Sequence, residues 1–451
     1  MRTPTPSRLG VLALAAGCVL GVAACGSSSD NSSGSGGDVS ITVNCWPPTS
    51  DPIDRKNFSD DIASFEKLHP NIHITPKDEY PCDDPKTFQA KLAGGQMENV
   101  FYVYYTDIAG VVANGQAADI SDYVKNVKGL GDIQPSTLNV FKGPDGKYYG
   151  LPRTNYSMGL IYNRALFTQA GLDPNKPPTT WDDVRTDAKK IAALGNGVVG
   201  YADYSANNQG GWHYTAEMYS QGGTMVSADG KHANFDNAQG KAVLQNLQQM
   251  RWTDNSMGSK QLLQQSDVLP MMGSGKLGMY IGAPDNLPIL VKQYGGAYQN
   301  LGVGPMPGNK STLLGGDGYM FNVKDTPAQI QAGVQWLQYE ELTPGQGQFN
   351  YQRAASEKTP VGLPEPDLWN GSTAGDDAKA KTKYANVPQE NYAAFESAMK
   401  TMPGKIEPPD AQQIYSVLDN VMSAVLTNQN ANIDSLLSDA STKVDTLLAN
   451  Q

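Results

Sequence analysis

Cysteine and histidine are scarce in this chain, with four of each among 451 residues. No two cysteines stand as Cys-x-x-Cys, and the histidines at 69, 73, 213 and 232 are scattered, which argues against zinc, dithiol and metal-uptake chemistry. Basic charge is also short. Lys and Arg number 34 against 45 Asp and Glu, a net charge of −11, so no general attraction to phosphate backbones exists and nucleic-acid binding is excluded. No apolar run reaches the roughly 20 residues that a membrane-spanning helix needs. Glycine (47) and proline (29) stay below the share of about a quarter seen in low-complexity chains, so most of this chain should fold, with length for two or three domains.

Catalytic motifs are missing too. Gly273-Ser-Gly-Lys276 resembles a phosphate loop only in part, because Pro270 stands where the first glycine belongs and Leu277 replaces the hydroxyl residue. There is no Gly-x-Ser-x-Gly elbow. A secreted carbohydrate-active enzyme would need two carboxylates flanking the scissile bond; Glu340 and Glu341 are adjacent on an expected helix beside apolar positions and are expected to face solvent. The reading is therefore not an enzyme, and no cofactor or metal is implied.

What is present begins at the N-terminus. Arg2 and Arg8 precede the uncharged stretch Leu9 to Ala24, which reads as a signal peptide over 1–24. Val22-Ala23-Ala24-Cys25 resembles the lipobox of bacterial lipoproteins, which implies a diacylglyceryl group on Cys25; the plain alternative is cleavage that leaves Cys25 as a free thiol. Gly26 to Gly37 is almost wholly Gly, Ser, Asn and Asp, so 25–38 is a lipidated end and flexible tether with a reach of about 20 Å. Two acyl chains give stable anchoring, which places the protein outside the cytoplasm on the bacterial cell membrane. Cys18 leaves with the signal and Cys25 takes lipid, so Cys45 and Cys82 remain in an oxidising compartment and are expected to form a disulfide, contributing up to about 4 kcal/mol.

Beyond the tether, periodicity alternates. Val39, Ile41, Val43 and Cys45 read as a strand, Phe58, Ile62, Phe65 and Leu68 as a helix, and Ile72 and Ile74 as a strand, a βαβ start. Val100 to Tyr105 is the continuous apolar run of a buried strand. Strands are expected at Met158–Tyr162, Leu277–Ile281, Leu301–Val303 and Tyr319–Val323, with helices from Arg164, from Trp181 behind Thr180 as cap, and around Val243 and Ile330. Ile414, Leu418, Val421 and Val425, then Ile433, Leu437, Ala440, Val444 and Leu448, make two amphipathic C-terminal helices.

The stretch Asp145-Gly-Lys-Tyr-Tyr-Gly-Leu-Pro-Arg-Thr-Asn-Tyr-Ser-Met-Gly-Leu-Ile-Tyr-Asn163, followed by Pro-Pro-Thr-Thr-Trp-Asp-Asp183, resembles the signature of sugar-binding proteins of ABC importers. Phe101 to Gly115, Gly273 to Met279, Gly304-Pro-Met-Pro307 and Gly315-Gly316 follow in that family's order. The resemblance implies an α/β, periplasmic-binding-protein-like fold: two α/β lobes of interleaved chain segments around a hinge and a ligand cleft, with a helical C-terminus. Lobe I is expected over 39–149 and 320–368, lobe II over 150–319 and 369–451, with a third crossing near Leu363 to Asn370. It also implies a saccharide ligand, ABC permease subunits as partners and a monomer.

A sugar offers apolar C–H faces and hydroxyls, so its cleft needs aromatic platforms and planar polar groups. Residues just past strand ends are favoured. Those are Trp46, the loop Tyr105, Thr106 and Asp107, Tyr156 past the crossover, Trp212 in a polar loop opening a helix, Asp285, and the backbone at Gly316 and Asp317. Each has a plainer alternative: Trp46 and Trp212 as core, Asp107 and Asp317 as caps. Trp181, Trp252 and Trp336 lie on helices and read as packing. Because Ala283-Pro284-Asp285 and Gly316-Asp317 stand where many sugar binders carry an aromatic, carboxylates outweigh stacking, which favours a small saccharide. The same fold binding a polyamine or another polar solute is the competing reading.

Overall fold

The computed structural model describes residues 37–78, 82 and 85–449; the leader, Cys25 and most of the tether lie outside the described residues. Ten strands among them form two sheets: β1 (Val39–Val43), β2 (Ile72–Pro76), β3 (Val100–Tyr104), β4 (Gly150–Ser157), β5 (Gly159–Asn163), β6 (Val199–Tyr201), β7 (Leu277–Gly282), β8 (Leu301–Gly304), β9 (Thr312–Phe321) and β10 (Gly404–Ile406). The larger sheet runs β10-β9-β3-β1-β2 with β4 also on β9, and the smaller runs β6-β7-β5-β8.

The expected βαβ start is present. β1 pairs in parallel with β2, Val39 opposite Ile72, and the intervening helix Pro52–Leu68 buries Phe58, Ile62 and Phe65 at helical spacing. These side chains and Ile41, Val43, Tyr319, Phe321 and Trp336 make the core of the first lobe. The second lobe's main core holds Met158, Leu160, Trp181, Met279 and Leu313, closed by the C-terminal helices Ala411–Thr427 and Ile433–Leu448 through Ile414, Leu418, Leu437 and Val444. Trp181 and Trp336 are buried, and the Trp252 indole N–H donates to the Val425 carbonyl at 2.9 Å.

β4 and β9 carry the chain between these cores. They pair antiparallel, and each has one end in either lobe: Leu151 and Tyr319 lie in the first core, Met158 just past β4 and Leu313 in the second. The strand expected at Tyr319–Val323 in fact begins at Thr312. Gly315 and Gly316 look like breakers in sequence, but within β9 they make room for rings: a Cβ on Gly315 would fall 2.2 Å from the Tyr156 ring, and one on Gly316 2.7 Å from that of Tyr105.

The third connection is a there-and-back excursion. Leu363 packs on the second lobe, Leu368 and Trp369 return to the first core, and the helix Gly371–Tyr384 stays there, its Thr373 bonded to Asp132 and its Asp377 to Tyr351. The chain reaches the second lobe again at Val387. Cys45 and Cys82 are joined by a disulfide with Cα atoms 4.8 Å apart.

Candidate functional site

The geometry centres on a β-bulge. The β4–β9 register slips between Pro152 and Thr154, which leaves Arg153 as the extra residue and re-aims its side chain. Its Nε and Nη2 donate to Asp317 Oδ1 and Oδ2 at 2.8 and 3.0 Å, and the Tyr102 hydroxyl donates to Asp317 Oδ2 at 2.8 Å. Asp317 thus spends its carboxylate on holding a guanidinium over the Tyr102 ring. Tyr102 itself is fixed from below, its backbone N–H donating to the buried Asn44 side chain at 2.7 Å.

Opposite stands an aromatic group from the second lobe. Trp212 sits in the first turn of the helix Gln209–Ser220, with its ring 6.4 Å edge-on from Tyr156 and 6.4 Å from Tyr204. The turn is anchored by Asp419, which accepts from the backbone N–H groups of Asn208 and Gly211 at 2.6 and 2.9 Å. Gly211 lets this helix meet the C-terminal helix at Tyr415, where a Cβ would approach the Tyr415 backbone to 2.2 Å. Tyr204 is in turn held by Asn286, whose Oδ1 accepts from the hydroxyls of Tyr204 and Tyr280 and from Gln265, while its amide donates to Asp285 at 2.8 Å.

Carboxylates complete the enclosure. Burial, with the charges of Glu407, Asp285 and Asp317 acting in the same direction, holds the Tyr156 phenol neutral. Asp285 is reachable by water yet hemmed in: burial pushes its carboxyl up to about 6, and Glu365 and Asp317 act in the same direction. Glu407 accepts from the Tyr415 hydroxyl at 2.7 Å; burial pushes it up to about 7, with Asp107 adding its repulsion. Asp107 opens the helix Tyr105–Ala113, accepts from the Thr106 hydroxyl at 3.0 Å, and is raised by burial.

Of the sequence-derived residues, Tyr156 and Trp212 meet edge-on at 6.4 Å, the charges of Asp285 and Asp317 act on the Tyr156 phenol, and that of Asp107 acts on Glu407. Tyr105 turns its ring against Phe141 and its hydroxyl to the Thr154 carbonyl at 3.3 Å, with Gly316 beneath it. Trp46 packs on the first lobe's core with the Arg55 guanidinium 3.3 Å above its ring. Arg153, Tyr104, Tyr204, Glu365 and Glu407 were not singled out in sequence. Tyr104 and Tyr204 follow the strand-end rule already applied to Tyr105, and Arg153 lies inside the quoted signature. Glu407 follows a three-residue strand with no sequence signal.

Alongside, a cavity of about 750 Å³ opens between the 45–51 loop, the helix Pro52–Leu68 and the end of the helix Pro327–Glu341, sharing Tyr104 and Arg153 with the cleft and touching Gln293 of the second lobe. None of the nine ligand-contact residues named from sequence lines it. Glu340 and Glu341 do, and this corrects their expected solvent exposure: they are 6% and 4% exposed, because the 343–350 turn folds back over the helix end. Gly347 permits that turn, its positive φ bringing it against the Glu340 backbone.

A family model described as bacterial extracellular solute-binding protein matches residues 48–341, and the chain belongs to that family. Its location is therefore extracytoplasmic. A putative binding protein of Brucella abortus (strain 2308) is 24% identical over 261 residues, 56% of this chain, so the match spans only 59% of that relative's length. The sn-glycerol-3-phosphate-binding periplasmic protein UgpB of the same organism is 42% identical over 67 residues, 15% of this chain and 16% of the relative. Among solved structures, the cyclic alpha-maltosyl-1,6-maltose binding protein of Arthrobacter globiformis superposes with a TM-score of 0.71 at 18% identity, covering 92% of this chain and 100% of that one. The fold is thus the two-lobed solute-binding one. No helix among the described residues is long and apolar enough to cross a membrane.

Proposed function

We propose that the protein captures a saccharide between its lobes and delivers it to the permease subunits of an ABC importer, acting as a monomer tethered to the membrane through lipid on Cys25. Trp212, Tyr156 and Tyr204 supply apolar faces for sugar C–H groups; Asp107, Asp285, Asp317, Glu407 and the Arg153 guanidinium supply planar hydrogen-bonding edges. The observation that supports the reading is the aromatic group of Trp212 edge-on to Tyr156 and beside Tyr204, with Asn286 linking Tyr204 to Asp285 at its edge. The cyclic-maltosyl-maltose binder's fold supports it; the glycerol-phosphate relative does not, since Asp107, Asp285, Glu365 and Glu407 would repel a phosphate.

We assign 39–149 and 320–384 to lobe I, which moves 369–384 out of the lobe expected from sequence, and 150–319 and 385–451 to lobe II. A sugar touching both lobes favours the closed state by its differential affinity, and the permease reads the closed pair. Thermal unfolding with mono- and oligosaccharides, polyamines and glycerol phosphate tests this. A saccharide at a thousandfold excess over Kd should add about 4 kcal/mol. A rise with polyamines or glycerol phosphate alone would replace the saccharide reading.

A further inference from the structure

Behind the rings of the second lobe lies a fully buried polar group that the cleft so far leaves unused. Tyr201, Asp203, His213 and Glu217 are each at most 1% exposed. Tyr201 ends β6 and Asp203 stands two residues further on, while His213 and Glu217, four residues apart, share one face of the helix Gln209–Ser220. The two segments are cross-braced: His213 Nδ1 donates to Asp203 Oδ1, the Tyr201 hydroxyl donates to Glu217 Oε1 at 3.4 Å, and the side chains of Asp203 and Glu217 hydrogen-bond each other.

Two carboxylates bond each other only with a hydrogen between them. Asp203 Oδ2 and Glu217 Oε2 are the oxygens left over, buried and without a partner while both groups are ionised, and one proton satisfies both. Burial, and then the Asp203 charge, raise the Glu217 carboxyl well above the usual carboxylate range, so the proton resides on Glu217. Asp203 thereby accepts from Glu217 on one side and from His213 on the other, and each hydrogen bond in the run strengthens the next.

What this run holds is the pair of rings. Tyr204 adjoins Asp203 in the chain and Trp212 adjoins His213. The His213 ring stacks on Tyr204 with centroids 4.1 Å apart and lies 5.2 Å from the Trp212 ring. Asn286 ties the Tyr204 hydroxyl, so His213 supplies the support for the ring's face. A phenyl group would fill the same volume, but a ring gripped at Nδ1 has its rotation set as well.

We propose that Asp203, His213 and Glu217 are positioning residues of the cleft, which hold Tyr204 and Trp212 at a fixed mutual angle through one proton placed between Glu217 and Asp203. Its use in sugar capture rests on the saccharide reading, but the test needs no sugar, so a failed saccharide screen overturns that reading and leaves the brace standing. In the unmodified protein, nitrogen NMR of the four histidines should show a slowly exchanging hydrogen on His213 Nδ1, which His69, His73 and His232, none of them buried, lack. Near-ultraviolet circular dichroism of each variant, minus that of its Trp212→Phe counterpart, isolates the Trp212 band. His213→Phe keeps a ring without the Nδ1 hydrogen, and Glu217→Met keeps the length without the proton; each should lose most of that band at a temperature where the far-ultraviolet spectrum is still native. Glu217→Gln, whose amide donates to Asp203 and accepts from Tyr201, should retain it. Where a disruptive variant fails to fold, the His213 hydrogen and the Glu217→Gln band decide the matter. A ring hydrogen on Nε2 alone, a Trp212 band that survives both disruptive substitutions, or its loss in Glu217→Gln would overturn the brace.

Discussion

The two walls of the cleft are built on opposite terms. The first-lobe wall is a set of groups already paired with one another: Arg153 is gripped by Asp317 and backed by Tyr102, whose backbone is held by Asn44. The second-lobe wall is a set of rings whose edges are held from behind, Trp212 against Tyr156 and Tyr204, with Asn286 tying Tyr204 and Tyr280 to Asp285. A wall of internal pairs fixes direction, because a bidentate guanidinium has little freedom left. A wall of supported rings offers area, with the Tyr204 hydroxyl tied back to Asn286. The difference assigns orientation to the first lobe and affinity to the second.

Breaking the first wall should have the largest effect. Asp317→Asn leaves Arg153 beside Tyr102 without its anion, and removing one partner of such a pair costs about 3 kcal/mol, discounted from the fully buried case because Arg153 is about a third exposed. Denaturant unfolding should show the loss; an unchanged midpoint would mean that the pair is solvated and positions nothing. Gly211→Ala attacks the second wall from behind. The added methyl meets the Tyr415 backbone, so the helix carrying Trp212 must shift, at about 1–3 kcal/mol. The same substitution at Gly110, where a Cβ meets nothing within 4 Å, should cost far less, and equal losses would contradict the close helix contact.

Sharpening the contrast needs the two tryptophans. Trp212→Ala should weaken saccharide binding by tenfold or more, about 1.4 kcal/mol, whereas Trp46→Ala should leave affinity within about threefold and lower the unfolding midpoint instead. Equal losses of affinity in both variants would show that Arg55 moves aside and that Trp46 is a platform as well.

How much of this was legible depended on whether the signal was local. β1, the helix with Phe58, Ile62 and Phe65, and the C-terminal helices announce themselves because each buries one periodic face. Thr180 caps its helix as its spacing to Asp183 suggests, accepting from the Asp183 N–H at 3.1 Å. The first half of β9 is hidden in sequence because its paired glycines resemble a turn, and only the rings of Tyr156 and Tyr105 above them explain why they belong in a strand. Arg153 was overlooked for a similar reason: a bulge is a property of two strands together, not of one. Glu340 and Glu341 were misplaced because the turn that covers them is set by Gly347 several residues later.

The smallest expected effect separates the walls by titration. Asp285 and Glu407 have folded pKa values of about 6 and about 7, above their ordinary range, so the folded state keeps protons that the unfolded chain has released. Stability from these groups is therefore fully present below about pH 4 and is lost as pH rises through 6 and then 7. The unliganded protein should melt at a lower temperature at about pH 7.5 than at about pH 5. Asp285→Asn and Glu407→Gln should each flatten that slope, with Glu407→Gln acting at the higher pH. The contrast lies in Arg153, which stays charged throughout the interval and favours ionised Glu341, so Arg153→Met should lower the melting curve and steepen its fall with rising pH where the carboxylate substitutions flatten it. A slope that survives both carboxylate substitutions but disappears with Arg153→Met would reverse the division of labour between the walls.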